Sequence, residues 1–265
     1  MEHVLYIETL ESTTENPLDL VMLHGWAMHG GVMKNLAESL TSHFRVHLVD
    51  LPGHGLSSID GMDFSLDDIS EKIYLAVKEK LKHKAVWLGW SLGGLISLNI
   101  AAAHHNDVSK LILLSANPAF VKKLDWSHAV DSSVFDSFAN DLINDVEKTV
   151  KRFMSLQIRG SDVNRETLKE LRDHLFSKPL ANHETLIKGL EILQGEDLRE
   201  IYQELSMPVQ LLAGELDTLV PATALHELHK LNVNSELYMI KKAGHAPFIS
   251  DLNESANAII EFCHD

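Results

Sequence analysis

The sequence predicts an α/β protein in which a mostly parallel sheet carries helices on both faces. Short apolar runs typical of buried strands alternate with segments whose apolar residues recur at helical spacing. After residue 116 the alternation stops, and no convincing strand follows until about residue 205. The predicted strands are Val4–Ile7, Leu18–Leu23, Val46–Val49, Ala85–Leu88, Leu111–Leu114, Val209–Ala213 and Leu237–Ile240. The predicted helices between them are Val32–Leu40, Leu66–Leu81 and Leu92–Ala103.

The interruption predicts a helical cap of residues 117–183, inserted between core segments 1–116 and 184–265, with the helical pattern continuing to about residue 205. Its apolar residues recur at helical spacing in three groups: Val134, Phe135, Phe138 and Leu142; Val146, Val150, Phe153 and Met154; Leu168, Leu171 and Leu175. A chain of 265 residues, 45% of them hydrophobic, can bury one full core. We therefore expect one catalytic domain with the cap over its active site.

The segment Leu88-Gly89-Trp90-Ser91-Leu92-Gly93-Gly94 directly follows a predicted strand and opens a predicted helix. This is the context of the Gly-x-Ser-x-Gly nucleophile elbow, a tight turn whose glycines leave room for the chain to reverse. The sequence therefore predicts an α/β-hydrolase fold with Ser91 as the nucleophile. For the Trp90 side chain, core packing and a wall of the acyl site are equally good interpretations.

The elbow predicts an acid and a base later in the chain, in the order Ser, Asp or Glu, His, each after a strand. Asp217 follows the strand Val209–Ala213, and His245 follows the strand Leu237–Ile240. We therefore predict a triad of Ser91, Asp217 and His245. Glu215 is close enough in sequence to be the alternative acid.

The segment His24-Gly25-Trp26 ends the strand Leu18–Leu23. In this fold, one oxyanion-hole N–H comes from this position and the other from the residue after the nucleophile. The backbone amides of Trp26 and Leu92 are therefore the predicted oxyanion hole. This backbone role holds even where the Trp26 side chain is ordinary core.

The composition argues against several other classes of protein. A formal net charge of −15 disfavours nucleic-acid binding, and no stretch approaches the roughly 18 apolar residues of a membrane span. Without a signal-peptide pattern or a second cysteine beside Cys263, we expect a cytoplasmic protein without disulfides. The sixteen histidines lack His-Glu-x-x-His spacing, and no Lys-Ser/Thr follows the glycines of Asp50–Ser57, so we expect no metal and no nucleotide cofactor.

Six segments, spread over nearly the whole chain and including the cap, form one combined pattern. They are His24-Gly25-Trp26, Leu48-Val49-Asp50-Leu51-Pro52-Gly53-His54-Gly55, Trp87-Leu88-Gly89-Trp90-Ser91-Leu92-Gly93-Gly94, Arg152-Phe153-Met154-Ser155-Leu156-Gln157, Gly189-Leu190-Glu191-Ile192-Leu193 and Gly244-His245-Ala246-Pro247-Phe248-Ile249-Ser250. The combination resembles the BioH family, the pimeloyl-[acyl-carrier protein] methyl ester carboxylesterases of biotin synthesis.

The resemblance implies a serine carboxylesterase that cleaves the methyl ester of pimeloyl-acyl-carrier protein to free pimeloyl carboxylate and methanol. This mechanism requires no cofactor, and we expect a monomer. It implies Ser91 as nucleophile, Asp217 rather than Glu215 as acid, and His245 as base. The substrate contacts that it implies are Trp26, Ser91, Leu92, Phe153, Met154, Ser155, Leu156, Gln157 and His245.

The cap is basic in an otherwise acidic chain, because residues 145–172 carry a net charge of +2. By the same resemblance, Lys148, Arg152, Arg165 and Lys169 would dock the acidic carrier protein. The alternative for these four residues is a solvated helix face paired with nearby acids. For the whole protein, the alternatives are a broad-specificity short-chain carboxylesterase, a carbon–carbon bond hydrolase or cofactor-free haloperoxidase with another cap lining, and a non-catalytic hydrolase-fold receptor.

Overall fold

The computed structural model describes residues 5–59, 64–161, 163 and 165–264. Within these residues, seven strands form one sheet: β1 (Ile7–Leu10), β2 (Leu18–Leu23), β3 (Phe44–Val49), β4 (Ala85–Trp90), β5 (Val108–Leu114), β6 (Val209–Gly214) and β7 (Ser235–Ile240). The strand order is β1-β3-β2-β4-β5-β6-β7. Strand β1 is antiparallel to β3, and the other neighbours are parallel.

Helices connect the strands, and five of them lie between β5 and β6. The described helices are α1 (Lys34–Leu40), α2 (Leu66–Lys78), α3 (Leu92–Ala103), α4 (Ser133–Asn144), α5 (Val146–Gln157), α6 (Arg165–Leu175), α7 (His183–Gly195), α8 (Arg199–Glu204), α9 (Ala222–Leu231), α10 (Pro247–Ser250) and α11 (Leu252–His264), with a short 3-10 helix at Gly30–Met33. Some of their starts follow local capping chemistry. Side chains of Ser65, Asp145 and Asn182 accept backbone N–H bonds at the starts of α2, α5 and α7.

The predicted strands and helices agree with the structure except near some ends. Strand β2 and helix α3 begin and end where the sequence predicts. The first strand was predicted too early: it runs over Ile7–Leu10, because these residues pair with Val46–Val49 of β3. Val4, where the prediction began, lies outside the described residues. Helix α2 stops at Lys78, three residues before the predicted end, because the following chain tightens into bonds between residues three apart.

The sheet centre is closed to solvent on both faces. All six residues of β4 are buried, as expected for a parallel strand covered by helices on both sides. Parallel strands end at one common edge, so the loops after β2, β4, β6 and β7 meet there. These loops carry Trp26, Ser91, Asp217 and His245. The fold therefore gathers the four predicted catalytic positions at one edge of the sheet.

A buried ion pair joins the segment between α6 and α7 to the core. Lys178 Nζ lies 2.9 Å from Asp50 Oδ2, and 4.3 Å from the centroid of the Tyr6 ring. The Asp50 carboxylate is buried and also accepts from the backbone N–H groups of Gly30 (2.8 Å) and Leu56 (3.0 Å). Its charge is thus compensated from both the core and the inserted region. The predicted cap boundary, residues 117–183, stays a prediction.

No helix in the described ranges combines the length and apolarity that a membrane crossing requires.

Candidate active site

Ser91 lies on a strained turn between β4 and α3. Its φ of 55° and ψ of −116° fall outside the regions that side-chain-bearing residues ordinarily adopt, at a typical cost of about 1–3 kcal/mol. Two glycines make the turn possible. A Cβ on Gly89 would lie 2.1 Å from the Gly93 carbonyl oxygen, and a Cβ on Gly93 would lie 2.4 Å from the Leu23 carbonyl oxygen. The backbone segments of the elbow therefore pack so closely that only glycine fits at positions 89 and 93.

A buried hydrogen bond joins the predicted acid and base. His245 Nδ1 donates to Asp217 Oδ2 at 2.8 Å, and Asp217 Oδ1 accepts from the N–H groups of Leu219 and Val220 at 2.8 and 2.9 Å. The carboxylate is thus oriented from both oxygens. Glu215 is exposed, and its Oε2 accepts from Lys242 N at 3.4 Å instead. The structure therefore brings Asp217, rather than Glu215, to His245.

The second ring nitrogen of His245 is left free by this bond. With Nδ1 donating to Asp217, Nε2 carries the lone pair, and this buried atom has no hydrogen-bond partner within the described residues. The segments of Ser91 and His245 lie side by side, because the indole Nε1 of Trp90 donates to the His245 carbonyl oxygen at 2.9 Å. The arrangement has the two halves that nucleophilic catalysis by serine requires.

The loop after β2 places an amide beside the nucleophile. A Cβ on Gly25 would lie 3.2 Å from Ser91 Cβ, so this loop packs directly against the serine. Leu92 is the first residue of α3, and its N–H has no acceptor in the preceding turn of the helix. The predicted oxyanion donors, Trp26 N and Leu92 N, thus belong to the two backbone segments that flank Ser91.

His24 holds the peptide group that contains the Trp26 amide. Leu51 N donates to His24 Nε2 at 2.9 Å, so Nδ1 carries the proton and donates to the Gly25 carbonyl oxygen at 2.8 Å. Burial, followed by the nearby His54, holds the pKa of His24 well below its usual range and keeps the ring neutral. Because Gly25 C=O and Trp26 N–H form one planar peptide, fixing the oxygen also fixes the direction of the amide. The sequence missed this role, although His24 directly precedes the predicted oxyanion segment.

The Trp26 side chain links this loop to the helices inserted after β5. Its Nε1 donates to the Leu186 carbonyl oxygen at 2.8 Å, and its ring meets the Phe153 ring edge-on at 4.7 Å between centroids. A Cβ on Gly189 would lie 2.7 Å from Trp26 Cδ1, so α7 passes directly over the indole. Trp26 therefore contacts α5 and α7 as well as the core.

The comparisons with known proteins identify the family of the chain. The model of the α/β hydrolase fold family matches residues 20–252. The pimeloyl-[acyl-carrier protein] methyl ester esterase of Vibrio cholerae is 38% identical over 92% of this chain and 93% of the relative. The enzyme of that name from Xylella fastidiosa is 42% identical over 92% of this chain and 94% of the relative. The chain belongs to this esterase family.

The fold is shared more widely than the family. An esterase from Exiguobacterium antarcticum superposes with a TM-score of 0.88 at 22% identity, covering 98% of this chain and 96% of that one. Membership of the esterase family makes this chain a carboxylic ester hydrolase of the α/β-hydrolase fold, as the sequence predicted.

The predicted substrate contacts on helix α5 differ in how deeply they are buried. Phe153, Met154 and Gln157 are buried, and Leu156 is half-buried. Ser155 is exposed, and its Oγ donates to the Lys151 carbonyl oxygen at 2.9 Å, so its predicted substrate contact stays a prediction. Successive helix residues point about 100° apart, so five consecutive positions cannot all face one cleft.

Gln157 is the polar member of the buried face of α5. Its Nε2 donates to the Phe153 carbonyl oxygen at 2.8 Å, while its buried Oε1 has no partner among the described residues. An unpaired buried amide oxygen is costly, by about 1–3 kcal/mol. A bound molecule that donates a hydrogen bond to Oε1 would remove this cost.

The four predicted carrier-docking residues are all exposed. Arg152 forms an ion pair with Asp141, and its guanidinium lies 5.2 Å from the centroid of the Phe138 ring. Within the described part of the chain, no ion pair joins Lys148, Arg165 or Lys169 to an acidic side chain. Arg152 therefore fits the alternative of a solvated face paired with nearby acids, and the docking role of all four residues stays a prediction.

The described residues contain no group of three or more histidine, cysteine, aspartate or glutamate side chains that is arranged to hold a metal ion.

Burial raises the pKa of the Cys263 thiol to about 12, which keeps it protonated and unreactive.

Proposed function

We propose that the protein hydrolyses the methyl ester of pimeloyl-acyl-carrier protein, releasing methanol and the free pimeloyl carboxylate in biotin synthesis. One observation carries the chemistry: the buried Asp217–His245 hydrogen bond lies beside an elbow that presents Ser91. The substrate rests on family membership, since relatives that are 38% and 42% identical carry this activity in their names.

The acylation step uses the catalytic groups in sequence. His245 Nε2 takes the Ser91 proton while Oγ attacks the ester carbonyl carbon and its π electrons move to oxygen. The amides of Trp26 and Leu92 donate to this oxyanion, and Asp217 stabilises the imidazolium. Donors aimed at charge that develops only in the transition state are worth about 3 kcal/mol each in other hydrolases.

The tetrahedral intermediate then collapses. The carbonyl re-forms, the bond to the methoxy oxygen breaks, and His245 returns its proton so that methanol leaves. Water repeats the cycle on the acyl-enzyme: His245 removes its proton, hydroxide attacks, and Ser91 leaves with the proton restored. Every proton and electron pair is accounted for by these groups, so the proposal includes no cofactor.

The inserted helices supply the substrate preference in this proposal. Phe153, whose ring contacts that of Trp26, and the buried Met154 would offer apolar surface to an aliphatic acyl chain. Lys148, Arg165 and Lys169, with Arg152, offer positive charge to the acidic carrier protein. A cytoplasmic monomer, without nucleic-acid or membrane partners, completes the proposal.

A bacterial strain that lacks pimeloyl ester cleavage tests the function. We expect the wild-type chain to restore growth without biotin and Ser91→Ala to fail at equal protein level. Purified protein should cleave the carrier-bound methyl ester with a kcat/KM well above that for short p-nitrophenyl esters. Similar values for both substrates would favour the broad-specificity esterase.

A fluorophosphonate probe separates the enzyme from the non-catalytic receptor. Labelling that is lost in Ser91→Ala is expected for the enzyme. A wild-type chain that binds pimeloyl esters but takes no label would support the receptor.

A further inference from the structure

The backbone of the catalytic base is held from two sides. Trp90 Nε1 donates to the His245 carbonyl oxygen at 2.9 Å. On the other side of the same peptide group, Ala246 N donates to the Gln157 carbonyl oxygen at 2.8 Å. Trp90 belongs to the core strand β4, and Gln157 is the last residue of α5. One planar peptide is thus fixed between the sheet and the inserted helices.

The peptide group between Ala243 and Gly244, one peptide further back in the chain, is held as well. Gly244 N donates to Ser161 Oγ at 2.7 Å. A Cβ on Gly244 would lie 3.0 Å from the Gln157 carbonyl oxygen and 3.1 Å from that of Arg159, so the loop packs tightly on residues 157–161. The loop that carries His245 is therefore bonded at two peptide groups, Ala243–Gly244 and His245–Ala246, to the end of α5 and the residues that follow it.

We propose that Trp90 and Ser161 are positioning residues for His245, holding the backbone that carries its imidazole. Asp217 fixes only Nδ1 of the ring. A ring held at one atom and at a mobile backbone would swing, and Nε2 would lose its alignment. Trp90 directly precedes Ser91 in the chain. Its indole hydrogen bond therefore also fixes the backbone of the base relative to the backbone of the nucleophile. The inference rests on the proposed function, since it assigns roles within the proposed triad.

The substitution Trp90→Phe isolates the hydrogen bond. Phenylalanine keeps an aromatic ring against Phe248, whose centroid is 5.1 Å from that of Trp90, but has no N–H to donate. The matched control is Trp126→Phe, because Trp126 Nε1 also donates to a backbone carbonyl, that of Ala119, at 3.2 Å. The control removes the same kind of bond outside the His245 loop.

The test measures kcat and KM for p-nitrophenyl butyrate, together with the extent and rate of fluorophosphonate labelling. For Trp90→Phe we expect kcat to fall roughly tenfold with KM within twofold, because small misplacements of a catalytic group cost rate rather than binding. Labelling should go to completion but more slowly. Ser161→Ala should lower kcat by a smaller factor, and Trp126→Phe should match the wild type.

An unchanged kcat in Trp90→Phe would overturn the inference. So would a fall that only matches the fraction of protein able to take the label, since that result indicates a purely structural role. Where Trp90→Phe does not fold, Ser161→Ala decides alone, and an unchanged kcat there refutes the proposal. A wild-type chain that neither hydrolyses ester nor takes label would overturn the proposed function, and this inference with it.

Discussion

Helices α3 and α5 both reach the proposed active site, yet they are packed in different ways. Nine of the twelve residues of α3 are buried, because the helix lies between the sheet and its neighbours α2 and α8. Helix α5 has the same length, but only five of its residues are buried: Thr149, Val150, Phe153, Met154 and Gln157. Its other face is charged and open to solvent.

The difference separates two tasks. The strained φ of Ser91 persists only where the surrounding structure allows no alternative, and the fully packed start of α3 provides that constraint. A half-solvated helix can change its outer residues at little cost to stability, which suits the selection of a substrate and its carrier. Reaction chemistry is thus expected to depend on the core, and substrate choice on α5 and its neighbours.

Replacing the nucleophile is the strongest test of the core's task. Ser91→Ala should lower kcat/KM for every ester by about 10⁴-fold or more, because removing a triad serine leaves only binding and oxyanion stabilisation. Thermal unfolding should change little. Residual hydrolysis above about 1% of wild type, measured with p-nitrophenyl butyrate, would contradict the assignment of Ser91.

Lys178→Met tests the ion pair between the inserted helices and the core. This change leaves the buried Asp50 carboxylate without its cation and should lower the free energy of unfolding by about 3 kcal/mol in urea titrations. The matched control is Lys230→Met. Lys230 pairs with Glu227 at 2.6 Å on an exposed helix face, so its loss should cost less than about 1 kcal/mol. Equal effects would show that the Lys178 pair is no more than a surface ion pair.

His54, in the loop that follows β3, should make the stability of the protein depend on pH. Burial, opposed by a hydrogen bond to Pro52 and by the charge of Asp50, lowers the pKa of His54 to about 4, whereas an unfolded histidine titrates near 6.5. The unfolded state therefore binds the proton first. Stability is highest above about pH 6.5 and falls towards pH 4 by up to about 1.4 kcal/mol per pH unit for this group.

His54→Gln removes this titration. Urea midpoints measured at pH 7 and pH 5 should differ less in the variant than in the wild type. Because His24 is also held neutral by burial, part of the dependence should persist. A variant with the full wild-type difference would show that His54 binds its proton equally well in both states.

The smallest expected effect concerns the outer face of α5. Lys148→Glu should raise KM for the carrier-bound ester by about fivefold at low salt, equivalent to about 1 kcal/mol for an exposed charge, and leave hydrolysis of p-nitrophenyl butyrate unchanged. Lys84→Glu makes the same charge change at the start of β4, at the opposite edge of the sheet from Ser91. Equal effects from both substitutions would point to net charge rather than to docking on α5.

The sequence predicted the core better than the inserted region, for a physical reason. A tight strand-to-helix turn permits few residue types, so Gly89 and Gly93 make the elbow recognisable in the sequence. The Lys178–Asp50 ion pair and the contact between Ser161 and Gly244 have no such signal. They join residues far apart in the chain whose types are ordinary, and only the folded backbone brings them together.

The same limit explains the differences inside well-predicted elements. An apolar run predicts a strand, but its ends depend on the partner: β1 follows its pairing with β3 rather than its own pattern. Periodicity predicted helix α5 and its buried residues, yet the resemblance treated residues 153–157 as one block. The helical rotation, which places Ser155 outside, decides which members of that block can reach a substrate.

The missing side chain of Gly189 constrains how related sequences can diverge. Trp26 Cδ1 occupies the space that a Cβ at this position would need, at 2.7 Å. A related sequence would thus accept a larger residue at position 189 only after Trp26 had been replaced by a smaller residue. In the reverse direction, tryptophan at position 26 would be accepted only once position 189 was glycine. These two positions, 163 residues apart in the chain, should evolve as a pair.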